Sequence, residues 1–137
     1  MTHSARFTTV LMATCACVVL VGCQTAPMGA MPDEVVDYPA ITFSQASLQK
    51  TVAFQPPIVT RTQKDLMRVT LVMRSKASDP LHVECRMLWH DEAGQPIAPQ
   101  MTWRPLALEP QQPQRITFTA TSREAADYNA QFRWSLP

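Results

Sequence analysis

The chain has 137 residues, 46% hydrophobic and 17% charged, with 12 basic side chains against 11 acidic ones. That near balance steers it toward neither nucleic acid nor an anionic surface. Three glycines in the whole chain exclude a glycine-rich loop of the kind that cradles phosphates.

The first segment has the three parts of a secretory leader: a short polar start carrying Arg6, an apolar stretch from Phe7 to Gly22, and a cleavage site flanked by small residues. That stretch is interrupted by Thr8, Thr9 and Thr14 and falls short of the about 20 predominantly apolar residues that span a bilayer. Leu20, Val21, Gly22 and Cys23 resemble the lipobox of bacterial lipoproteins, in which the cysteine sulfur takes a diacylglycerol and the new amino group a third acyl chain. The resemblance implies cleavage between Gly22 and Cys23, a signal peptide over 1–22 and lipidation at Cys23. Gln24 is not the aspartate that tends to retain such chains in the inner membrane, so the expected location is the periplasmic face of the outer membrane.

Cys15 and Cys17 would leave with the leader and Cys23 would be acylated, so Cys85 is the one thiol remaining and no intramolecular disulfide can form. The segment 23–39 carries Pro27, Pro32 and Pro39 and no sustained apolar period, and reads as a lipidated tether. Residues 40–137 are enough for one small sandwich or barrel but not for two domains.

Period two dominates that domain. Met67, Val69, Leu71 and Met73 share one face of a strand, with Arg68, Thr70 and Arg74 on the other. Leu81, Val83, Cys85, Met87 and Trp89 repeat the scheme against His82, Glu84, Arg86 and His90, with Leu88 as the one apolar exception. Ser78, Asp79 and Pro80 supply turn chemistry between them, and Asp91 to Gly94 a second turn with glycine available for positive φ. The expected outcome is an antiparallel meander. Shorter alternations follow Ile41 and Phe43, Val52 and Phe54, Ile116, Phe118 and Ala120, and Phe132, Trp134 and Leu136. Pro56 and Pro57 lack ladder donors, so their segment belongs at an edge or bulge. Thr121 to Glu124 fits a capping box before Ala125 and Ala126. The fold class expected is all-β: an immunoglobulin-like antiparallel β-sandwich of six or seven strands with at most one short helical turn.

The run Trp89, His90, Asp91, Glu92, Ala93, Gly94, followed by Trp103, Arg104, Pro105, Leu106, resembles the YcfL-like family of small bacterial lipoproteins. The match extends from about Leu48 to Trp134 in order and spacing. It implies a β-sandwich on the outer membrane and brings no catalytic residues. One departure is Pro110, Gln111, Gln112 and Pro113, where the family often has a glycine-containing turn.

Each candidate for chemistry has a plainer structural explanation. His82 and His90 share a strand face but lie eight residues apart, ~26 Å at about 3.3 Å per residue, too far for one metal ion. Cys85 belongs to an apolar stripe and reads as a core thiol, not a nucleophile. Trp89 and Trp134 fall on apolar faces, which leaves Trp103, beside Arg104, as the candidate partner contact. The expectation is therefore a non-enzymatic interaction module with no cofactor, no metal and no nucleic-acid partner, held to the membrane by its N-terminal lipid and docking to an envelope protein through an edge strand or the Trp103 loop. The alternative is a small cell-wall carbohydrate-binding or hydrolytic protein using the loop carboxylates Asp91, Glu92 and Glu109. A concave pocket joining two of these to an exposed tryptophan would favour it.

Overall fold

The computed structural model describes residues 37–135. The leader, Cys23, the tether up to residue 36 and Leu136 lie outside the described residues. Eight strands and one helix follow in order: β1 (Ile41–Phe43), α1 (Ala46–Thr51), β2 (Val52–Phe54), β3 (Ile58–Arg61), β4 (Met67–Ser75), β5 (Leu81–His90), β6 (Arg104–Leu108), β7 (Pro113–Thr119) and β8 (Asp127–Trp134). One sheet has the order β1-β8-β5-β6; in the other, β4 lies between the β2/β3 edge and β7. The fold is an all-β sandwich. Pairing β4 with β7 and β5 with β8 is the B–E and C–F pairing of the immunoglobulin topology. The strand count exceeds the six or seven expected, because β3 and β6 carry no clean alternation: β3 is exposed throughout and β6 contains Pro105.

Period two placed the core correctly. Met67, Val69, Leu71 and Met73 are buried, as are Val83, Cys85, Met87 and Trp89. The expected meander does not form, however. β4 and β5 belong to different sheets, and the Ser78 to Pro80 stretch carries the chain from one to the other. The physical reason is that two strands with equally apolar faces cover both by stacking across the core, as the sheets of a sandwich do. β5 instead pairs with β6, through Leu81↔Leu108 to Cys85↔Arg104. β1 departs from the antiparallel expectation too, running parallel to β8 with Ile41 opposite Ala130 and Phe43 opposite Phe132.

Three phenylalanines tie the layers together. Phe132 lies 5.8 Å from Phe43 and 5.3 Å from Phe54, and Phe43 lies 5.9 Å from Phe54, by ring centroids. Two of these pairs are edge-to-face, a favoured arrangement for aromatic quadrupoles. Phe54 comes from the sheet opposite to that of Phe43 and Phe132, so the cluster spans the sandwich.

The helix falls elsewhere than expected. Thr121 to Glu124 forms a turn in which Ser122, not Thr121, accepts the Glu124 N–H at 3.1 Å. The following Ala126 N–H donates across to the His90 carbonyl at 2.9 Å, which draws the chain toward the end of β5 and not into a helix. The helix that does form, α1, carries the chain between the two sheets and buries Leu48 completely. Its Gln45 N-cap makes no side-chain capping bond, so its stability comes from packing. Pro56 and Pro57 sit where expected. Phe54 opposes Met73 and Ile58 opposes Thr70, so three residues of the edge face two of β4 and the prolines occupy a bulge.

Candidate interaction surfaces

Strand alternation sends Arg86 and Arg133 outward, because their neighbours Cys85, Met87 and Phe132 point into the core. On this outer face Glu84 opposes Arg133 and Arg86 opposes Gln131. Arg133 Nε donates to Glu84 Oε2 at 2.6 Å, and Arg86 Nε donates to Gln131 Oε1 at 2.8 Å. Trp103, just before β6, lays its ring against both cations: the guanidinium carbons of Arg86 and Arg133 lie 4.5 and 4.2 Å from its centroid. Trp103 is thus neither core nor a loose surface anchor. It is half-buried on a pair of arginines.

Arg104, named with Trp103 as a partner contact, does not join this cluster. It opposes Cys85 in the register, on the other side of β6, and is exposed. Its charge acts instead on the Cys85 thiol. Burial pushes that thiol above its ordinary value of 9.0 and the nearby Arg104 guanidinium works in the opposite direction. Cys85 is free and buried.

A second surface is the β2/β3 edge. All four residues of β3 are exposed, and Ile58 and Val59 are 48% and 47% accessible. One side of β3 is bonded to β4 and no strand pairs with the other among the described residues. An open strand edge bearing large apolar side chains is a template for a further strand.

The loop carboxylates are not gathered into one site. Asp91 and Glu92 line a surface depression of about 460 Å³ with Arg61, Arg123 and Glu124, and no tryptophan borders it. Asp91 is engaged in shaping its own turn: its Oδ1 accepts the N–H groups of Ala93 and Gln95 at 2.9 and 2.8 Å, and Gly94 takes φ +76°, as the turn chemistry predicts. Glu109 follows β6 beside the start of β5, about 30 Å along the sheet from Asp91 at 3.3 Å per residue. Among the described residues no three His, Cys, Asp or Glu side chains are grouped to hold a metal ion. His82 and His90 lie at opposite ends of β5.

The sequence does not reveal that Arg86 and Arg133 join Trp103. Their outward phase is readable from the alternation around Cys85 and Phe132; the pairing of β5 with β8 is not. Ile58 and Val59 follow two prolines without alternation and carry no signal of their own.

The family model described as "Protein of unknown function (DUF1425)" matches residues 40–133. No curated protein matches the sequence. Two crystal structures share the fold. That of Campylobacter jejuni cj0090 has 13% sequence identity and a TM-score of 0.61, over 70% of this chain and 98% of that one. That of a DUF1425 family member from Shewanella sp. pv-4 has 16% identity and a TM-score of 0.56, over 63% and 80% of the two chains. With the family model covering most of its length and this sandwich recurring in a solved member, the chain belongs to the DUF1425 family.

Proposed function

We propose that the protein is a lipid-anchored lipoprotein of the YcfL type, held at the periplasmic face of the outer membrane by acylated Cys23, and that it acts there as a non-enzymatic interaction module. The lipobox residues Leu20 to Cys23 support the anchor: one acyl chain binds a bilayer marginally, several together hold almost irreversibly. The observation that carries the module reading is the open edge of β3 with Ile58 and Val59 exposed on it. A partner strand added there would satisfy the unpaired backbone groups and cover both side chains, the strand-addition mode of recognition.

Two experiments test this. Labelled fatty acid should enter the wild type and be absent from Cys23→Ser; equal labelling would overturn the anchor. A photo-crosslinker at Val59 in intact cells should yield an envelope-protein adduct that Ile58→Asp abolishes while the melting midpoint stays near that of the parent. An adduct that survives Ile58→Asp would remove the β3 edge from the docking surface.

A further inference from the structure

The outer face of β5 and β8 carries an electrostatic imbalance. Arg86, Arg133 and Glu84 meet on it, so among the described residues one guanidinium charge is left without a carboxylate. Glu84 belongs to Arg133. Among the described residues Arg86 has the neutral Gln131 amide and the Trp103 ring as its partners. Both arginines are partly buried, so this positive charge is less screened by water than one at the tip of a free side chain.

Both guanidinium groups are also held in place. Each has its Nε–H committed to a neighbouring strand, and each plane is restrained by the same indole. Among the described residues their hydrogen bonds run from Nε alone, so the terminal nitrogens remain as donors. Arginine ordinarily loses about 2 kcal/mol of rotamer freedom when it is fixed. Here the fold has fixed two before any ligand arrives, and such preorganisation raises affinity for whatever the forks fit.

We propose that Arg86, Arg133 and Trp103 form a binding site for a phosphate monoester. A carboxylate has two oxygens, which one guanidinium fork can satisfy; in the fold Glu84 takes a single bond from Arg133 Nε. A phosphate presents three or four acceptor oxygens in a tetrahedron and accepts from two guanidinium groups at once. Its charge also exceeds that of a carboxylate and balances the unmatched arginine. The site is separate from the β3 edge, which belongs to the opposite sheet, and does not depend on the docking role assigned to that edge.

The test follows the indole N–H resonance of Trp103, assigned by its loss in Trp103→Phe, in the full chain titrated with glycerol 3-phosphate. The resonance should move saturably, and Arg86→Gln should weaken the affinity by about tenfold, the effect of losing a hydrogen bond to a charged group. Unchanged binding in Arg86→Gln, with the protein still folded by its melting transition, would overturn the site. A parallel arm uses phosphatidylcholine vesicles with and without phosphatidic acid, a lipid that bears a phosphomonoester, comparing Arg86→Gln with its parent so that any contribution of the anchor cancels. Arg86-dependent shifts with the soluble ester identify a free phosphate ester as ligand. Shifts only with phosphatidic acid vesicles identify the lipid headgroup. No saturable shift in either arm retires the proposal and leaves Trp103 as a clamp on the β6 edge.

Discussion

Cys85 is 1% exposed, and that one number sets its chemistry. A hydroxyl put in its place would enter apolar surroundings, so Cys85→Ser is expected to cost on the order of 1–3 kcal/mol, measured by chemical denaturation. A bulky maleimide should label the native thiol slowly. Its raised proton affinity also gives a pH dependence. Burial, opposed by Arg104, favours the neutral thiol, so its contribution to stability is complete below the ordinary 9.0 and is lost as pH rises through the higher native value. Tyr128 moves in the same direction from 10.0, through burial first and the neighbouring Asp127 second. The unfolding free energy should therefore fall above about pH 9, and Cys85→Ala should flatten the first part of that fall. Trp103 presents an intermediate case. Its ring meets two cations in a half-exposed setting, where each such contact contributes about 0.5–1 kcal/mol. Trp103→Ala should accordingly destabilise by roughly 1–2 kcal/mol, against about 3–5 for truncating a core aromatic. A loss in the core range would mean that the indole packs more deeply than its contacts with Arg86 and Arg133 indicate.

Among the elements, the strands whose apolar residues alternate were legible and those without alternation were not. Met67 to Met73 and Leu81 to Trp89 announce their buried faces directly, whereas β3 and β6 hold their places through register with β4 and β5. The helix α1 was illegible because Ala46–Thr51 contains one large apolar residue, Leu48, and a single residue has no period. That residue is nonetheless fully buried, so Leu48→Ala should cost about 2–5 kcal/mol, read as a shift in denaturation midpoint. The turn between β6 and β7 shows the opposite relation. At this turn Gln111 adopts φ 58° and donates its side-chain amide to the Lys76 carbonyl at 3.0 Å. A non-glycine residue therefore holds the left-handed conformation here. A β-branched residue tolerates that conformation poorly, so Gln111→Val should destabilise by about 1–2 kcal/mol while Gln111→Gly stays close to the parent. The surface cluster lay beyond reach for a different reason: Trp103, Arg86 and Arg133 come from three separate segments, and only the β5–β8 and β5–β6 pairings bring them to one face.

At the scale of the molecule, the two sheets meet through Phe54 on one side and Phe43 and Phe132 on the other. Phe132→Ala would remove the ring common to two of the three contacts. It is expected to cost about 3–5 kcal/mol while sparing the arginine cluster on the outer face, so that a Trp103 resonance unchanged in a destabilised protein would show the two layers to be energetically separate.

The parallel pairing of β1 with β8 joins Ile41 to Ala130 and Phe43 to Phe132, nearly the whole length of the domain apart. Among the described residues β1 thus has no partner strand until β8 has been made. A growing chain can form only fragments of this sandwich: β4 pairs with β2 and β3 but waits for β7, β5 pairs with β6 but waits for β8, and of the two aromatic pairs between the sheets Phe54–Phe132 waits for β8. Such non-local closure belongs to the slower range of folding, milliseconds to seconds. Closure of the sheet β1-β8-β5-β6 is thus a single event tied to β8, which β1 and β5 both flank.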